Sequence, residues 1–125
     1  MSITSLPFGA FVKSRRESLS IPQKVFAKTV GISPAYLSDI ENGNRRAPEK
    51  YLASIAKTLE ITDSDELSEF YDKAGISQKG HHFDINEYID DKPSARRAFR
   101  TAMDEGWTDD DWRELIEIIK GKNKQ

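Results

Sequence analysis

The sequence has no cysteine among its 125 residues, which excludes a disulfide framework and any thiolate metal site. Its two histidines, His81 and His82, are adjacent. Neighbours on a helix cannot both face one ion, so no metal is expected. No apolar run approaches the roughly 18–20 residues that a membrane helix needs, so no membrane contact is expected. The opening MSITSLPFGAFVKSRR lacks the basic-then-apolar order of a secretory leader, which points to a cytoplasmic protein. A glycine-rich phosphate cradle is missing, and no nucleophile is placed beside a base. Asp109-Asp110-Asp111 lacks the glycine and spacing of a calcium loop. Neither an enzyme nor a cofactor is expected.

What is present is a charge split. The chain carries a net −2, but residues 1–62 hold nine Lys/Arg against five Asp/Glu, a net +4. Residues 63–125 hold ten against sixteen, a net −6. A basic half joined to an acidic half suits a polyanion-binding module attached to something with another task.

Apolar residues recur at helical spacing along the chain and strand-like alternation is almost absent, which predicts an all-α protein. A first helix begins near Pro7 with Phe8, Phe11, Val12 and Leu19. A second carries Val25, Phe26, Ala27 and Val30 and ends at Gly31. Ser33 caps a third, with Pro34 in the first helical position, and this helix stops at Asn42-Gly43. Pro48 opens a fourth, with a stripe of Tyr51, Leu52, Ile55, Ala56 and Leu59. A fifth starts at Asp63 or Ser64, carries Leu67, Phe70, Tyr71 and Ala74, and is expected to end at Gly75 before a loop, ISQKGHHF. Asp84 then caps a short helix with Ile85, Tyr88 and Ile89. Pro93 opens another with Ala95, Ala98, Phe99, Ala102 and Met103 directed inward. Thr108-Asp109-Asp110-Asp111 has the capping-box pattern before a last helix faced by Trp112, Leu115, Ile116 and Ile119.

Counted from Gln23, apolar residues fill the fourth, eighth, tenth, fifteenth and eighteenth positions: Phe26, Val30, Ile32, Leu37 and Ile40. The fifth is Ala27, where steeply crossing helices leave no room for a larger side chain, and the ninth is the turn residue Gly31. This is the pattern of a helix-turn-helix, in which the second helix can lie in a major groove.

At these residues the chain resembles the lambda-repressor/Cro (Xre-type) helix-turn-helix family. The resemblance covers roughly residues 6–61 and rests on Arg16, on QKVFAKTVGISPAYLSDIENGNRRAP and on the fourth-helix stripe. It implies an N-terminal five-helix lambda-repressor-like DNA-binding domain, usually dimeric on a palindromic operator. Residues 1–75 are assigned to that domain and 76–125 to an acidic helical extension. By position, Gln23, Asn42, Asn44, Arg45 and Arg46 would hold phosphates. Pro34, Ala35, Tyr36, Ser38 and Asp39 would present side chains to base edges. Ser33 and Lys24 are counted with this DNA-facing set, and Arg15 and Lys28 are expected to add to the basic face. Arg16 would pair with Glu41 across helices one and three. Pro22 departs from the usual Ser/Thr-type cap of helix two, removing one phosphate contact. Pro34 and Ala35 leave direct readout thin. Ala35 would meet a thymine methyl, Tyr36 a base or phosphate, and Asp39 a cytosine N4, with operator shape carrying part of the specificity.

Two functions remain open. One is a transcriptional repressor that binds double-stranded operator DNA as a homodimer. The other is an antitoxin or interaction module whose acidic half binds a toxin, a peptidase or an antirepressor. In either case Phe99, Trp107, Trp112, Ile116 and Ile119 form the expected dimer or partner surface.

Overall fold

The computed structural model describes residues 6–77 and 82–122. His81 and the end of the C-terminal tail lie outside the described residues. The chain forms α1 (Phe8–Ser18), α2 (Gln23–Val30), α3 (Pro34–Glu41), α4 (Glu49–Thr58), α5 (Ser64–Ser77), α6 (Phe83–Asp90), α7 (Pro93–Asp104) and α8 (Asp109–Lys122). Among the described residues there is no strand, so the protein is all-α. No helix among them is long and apolar enough to cross a membrane. Two compact units divide the chain, Met1–Asn86 and Glu87–Gln125.

In the first unit α1 packs on α3 and α5, α2 on α3 and α4, and α4 on α5. The apolar stripes meet in one core, where Phe11, Phe26, Leu37, Ile40, Ile55, Leu59 and Phe70 are sealed from solvent. Gly9 sets how closely α1 approaches α3. A Cβ there would lie 2.9 Å from the Glu41 carbonyl oxygen and closer still to that of Ile40. Phe70 on α5 joins the core through Phe8 and Phe11, at ring separations of 5.4 and 6.5 Å. Lys73, nearly buried on α5, donates to the Leu6 carbonyl and so ties the chain before α1 to α5. Burial pulls its amine below the ordinary lysine value, with the charge of Glu69 opposing.

Gly75 does not end α5. The helix continues to Ser77, and Gly75 is buried within it because the His82 imidazole lies where a Cβ would be. A glycine that sequence patterning reads as a stop is here a seat for a side chain arriving from beyond the helix.

Four helices of the first unit close with the same backbone device, as does α7 in the second through Gly106 and the Trp107 N–H bond to Ala102. The chain turns through a left-handed residue, and the next N–H reaches back across the last turn, from Ile21 to Arg16, Ile32 to Ala27, Asn44 to Asp39 and Ile61 to Ala56. Glycine supplies the left-handed residue after α2 and α3. Ser20 and Glu60 supply it after α1 and α4, at φ +58° and +59°. A side chain in that region costs about 1–2 kcal/mol. Ser20→Gly and Glu60→Gly are therefore each expected to raise the unfolding free energy by about 0.5–1 kcal/mol, after allowance for the looser unfolded chain. Urea denaturation of the two variants checks this.

In the second unit a short turn joins α7 to α8. Thr108 and Asp111 cap α8 reciprocally: Thr108 N–H donates to Asp111 Oδ2 at 2.8 Å, and Asp111 N–H to Thr108 Oγ1 at 3.4 Å. Trp112 packs on Phe99 and Trp107, at 5.5 and 4.9 Å. Of the α7 residues expected inward, Ala102 is buried and Ala95 half-buried, whereas Ala98, Phe99 and Met103 are exposed, Met103 at 77%. Ile116 and Ile119 are also exposed. Two helices have one seam between them, and a unit this small cannot enclose apolar faces wider than that seam.

Candidate nucleic-acid interface

Helices α2 and α3 are held at a fixed angle by what lies between them. Ala27 is fully buried at their crossing, and Gly31 takes φ +96° in the turn. Ser33 then accepts a hydrogen bond from the Tyr36 N–H at 3.0 Å, capping α3, and Pro34 follows where a missing N–H costs nothing. The helical period sends Leu37, Ile40 and Glu41 inward. Ser33, Pro34, Ala35, Asp39 and Asn42 are exposed, with Ser38 and Tyr36 half-buried beside them. Asn42 Nδ2 donates to Ser38 Oγ at 3.4 Å, which fixes the C-terminal end of this face.

Beyond α3, Gly43 at φ +79° turns the chain back along the helix. Asn44, Arg45 and Arg46 follow, all exposed. They line a cleft of about 280 Å³ together with Phe8, Gly9 and Ile40. Arg45 does not project freely: its guanidinium carbon lies 4.4 Å from the centre of the Tyr36 ring. Phe8 and Gly9 were not assigned to the site from sequence. The only signal for them is that α1 starts at Pro7 with no side-chain cap, leaving first-turn N–H groups beside this basic loop.

Behind the exposed face lies a buried ion pair. Arg16 donates from Nε to Glu41 Oε2 at 2.7 Å and from Nη2 to Oε1 at 3.1 Å, and from Nη1 to the Ile21 carbonyl at 2.8 Å. The hydrogen bonds it donates to Glu41 push the Arg16 guanidinium further up from its already high value, against the opposing pull of burial. Gln23 Nε2 also donates to Glu41 Oε1, at 3.1 Å. The half-buried Gln23 thus leans on the ion pair from the front of α2 while keeping its own oxygen unengaged among the described residues.

Arg15 is placed differently from its sequence expectation. Its Nε donates to the Leu59 carbonyl, its Nη2 to the Glu60 carbonyl, and its Nη1 pairs with Glu66 at 3.3 Å. It caps α4 and pins α5, so it does not belong to the basic face. The last carbonyls of α4 attract a cation. Lys24 and Lys28 are exposed on α2. Among the described residues no three carboxylates or imidazoles converge as metal ligands do.

The α2–α3 pair and the basic loop after it fall inside the segment that a family model matches, whereas Phe8 and Gly9 of the cleft precede it. Residues 12–67 match the family model described as helix-turn-helix. An uncharacterized HTH-type transcriptional regulator of Mycobacterium tuberculosis (strain CDC 1551 / Oshkosh) is 30% identical over 81 residues, covering 65% of this chain and 55% of that protein. Its counterpart in strain ATCC 25618 / H37Rv matches to the same extent. The ImmF control region 10 kDa protein of Bacillus phage phi105 is 40% identical over 53 residues, 42% of this chain and 59% of that protein. The chain thus spans little more than half the length of the relatives it matches. No solved structure matches it. With Ala27, Gly31, Ser33 and the Arg16–Glu41 pair in place around α2 and α3, residues 12–67 form a helix-turn-helix domain of the lambda-repressor/Cro (Xre) type.

Proposed function

We propose that the protein is a cytoplasmic, sequence-specific regulator of transcription, a repressor that binds a palindromic double-stranded operator as a homodimer and catalyses no reaction. The observation that carries this reading is the exposed face of α3, bordered by the basic cleft at Asn44, Arg45 and Arg46. Such a face fits a major groove, and the cleft offers cationic donors where a phosphate backbone would pass. Residues 1–75 take the DNA, with Gln23, Lys24, Ser33 and Asn42 beside the backbone, Ala35, Ser38 and Asp39 toward the bases, and Tyr36 at the border between the two. Residues 76–125 take a second copy. The +4 of the N-terminal half favours the polyanion, and the −6 of the remainder keeps that half off it.

Selection of duplexes from a random DNA pool with the whole chain is expected to yield paired half-sites about 34–36 Å apart. Affinity for the selected duplex should fall steeply with salt. Arg46→Ala should reduce the slope of log K against log salt by about 0.9. A chain that binds no duplex at low salt contradicts the reading.

A second reading is favoured by the second unit alone. Arg97, Ala98, Ala102, Trp107, Trp112 and Leu115 line a cleft of about 420 Å³, while Phe99, Ile116 and Ile119 lie exposed. A toxin, peptidase or antirepressor seated there would make this half a protein-binding module. Sedimentation separates the two. Ile119→Glu should convert a dimer to monomer if a second copy covers the surface, and leave the mass unchanged if a different protein does.

A further inference from the structure

We propose that Tyr36 acts through its ring, as the positioning residue that holds Arg45 ready for a DNA phosphate, and not through its hydroxyl as a reader of bases. The inference rests on the DNA-binding reading and assigns a division of labour within that site.

Three observations meet at Tyr36. Its N–H is fixed by the Ser33 cap, and its ring is partly buried against the core, so packing rather than solvent sets its orientation. Its hydroxyl makes no hydrogen bond to any described residue. Its face is occupied, with the Arg45 guanidinium carbon 4.4 Å from the ring centre, well within the range of a cation–π contact. The backbone arranges this meeting. Gly43 N–H bonds back to Ile40 and Asn44 N–H to Asp39, which reverses the chain and returns Arg45 toward the start of α3.

An exposed arginine on a loop samples many rotamers, and ordering it is one of the costs of binding. A rigid aromatic face removes part of that cost while leaving the edge of the guanidinium to donate. Arg46 lines the same cleft with no such support. The loop therefore presents one pre-ordered cation and, among the described residues, one with no ring beneath it. Tyr36, at the edge of the α3 face, supplies the order and leaves base contact to Ala35, Ser38 and Asp39.

The test compares the whole chain with Tyr36→Phe, Tyr36→Leu, Arg45→Ala and the Tyr36→Leu/Arg45→Ala double variant. Each is titrated across salt concentrations on a mixed-sequence duplex and on the duplex selected by the wild type. Thermal unfolding is matched first, because Tyr36 is half-buried. Tyr36→Phe keeps the ring and should bind both duplexes as the wild type does. Tyr36→Leu should weaken both by the same factor, about two- to fivefold, the range expected of an exposed cation–π contact. It should add nothing in the Arg45→Ala background, where the salt slope has already dropped by about 0.9. Loss with Tyr36→Phe equal to that with Tyr36→Leu, or loss confined to the selected duplex, overturns the proposal and makes the hydroxyl a reader. An undiminished Tyr36→Leu effect without Arg45 overturns it as well. Wild-type chain binding neither duplex would instead overturn the DNA-binding reading beneath it.

Discussion

Replacing Arg16 by alanine is expected to cost about 3–5 kcal/mol of unfolding free energy, because it strands a carboxylate inside the protein. The Glu41 side chain is 1% exposed, and two of its contacts come from Arg16. Among the described residues Gln23 would remain as its one donor, a neutral amide at 3.1 Å. Total stabilities of small domains lie at about 5–15 kcal/mol, so the variant would sit close to unfolding. The double variant Arg16→Met/Glu41→Met should recover most of the loss, since two apolar side chains leave no buried charge behind. Urea titrations followed by circular dichroism decide the matter. A loss below about 1 kcal/mol for the single variant would mean that the pair is solvated and adds little, as surface pairs do. The pair also matters for the interface. It joins α1 to the C-terminal end of α3, with Gln23 of α2 attached, so its loss should loosen the angle at which the exposed face is held.

Phe70→Ala is expected to cost about 3–5 kcal/mol, the range for removing a fully buried aromatic ring. Phe70 is completely buried and touches rings from both sides of the matched segment: Phe8 and Phe11 before it and, on its own helix, Tyr71 at 5.4 Å. Burial, reinforced by the charge of Asp84, pushes the Tyr71 hydroxyl above its ordinary value. A chain cut after residue 62 loses the same ring and should fail to give a cooperative unfolding transition. If the cut chain unfolds cooperatively with wild-type stability, α5 is an accessory rather than part of the core. The expected result makes the basic half dependent on a helix from the acidic half, although the charge boundary falls between them.

The degree to which the protein can be read from its sequence follows from how far each signal acts. Helix starts and stops are local chemistry. Ser33 accepts from a neighbour three residues on, Thr108 and Asp111 satisfy each other, and Gly31 and Gly43 take φ values that other residues resist. Periodicity likewise places Phe26, Leu37 and Ile40 in the core. The same local rules gave the wrong end for α5, because what fills the space over Gly75 is His82, which arrives from beyond the end of the helix. They also put Ala98, Phe99 and Met103 inward, since an amphipathic pattern shows which face avoids water but not whether anything is there to cover it.

By itself, then, the sequence determined the all-α class, the element order, the helix-turn-helix register and the charge contrast between the halves, all set within a few residues of chain. Tertiary structure alone decided the partners of the charged side chains. Arg15 and Arg16 are consecutive, yet one closes α4 and the other enters the core to meet Glu41. Arg45 and Arg46 are consecutive too, and only the first rests on Tyr36. Adjacent side chains on a helix or turn diverge in direction, and each takes the acceptor or ring that folding brings within reach from elsewhere in the chain. Composition counts four equivalent cations; packing makes one a cap and one a buried strut, rests one on a ring and leaves one exposed at the cleft.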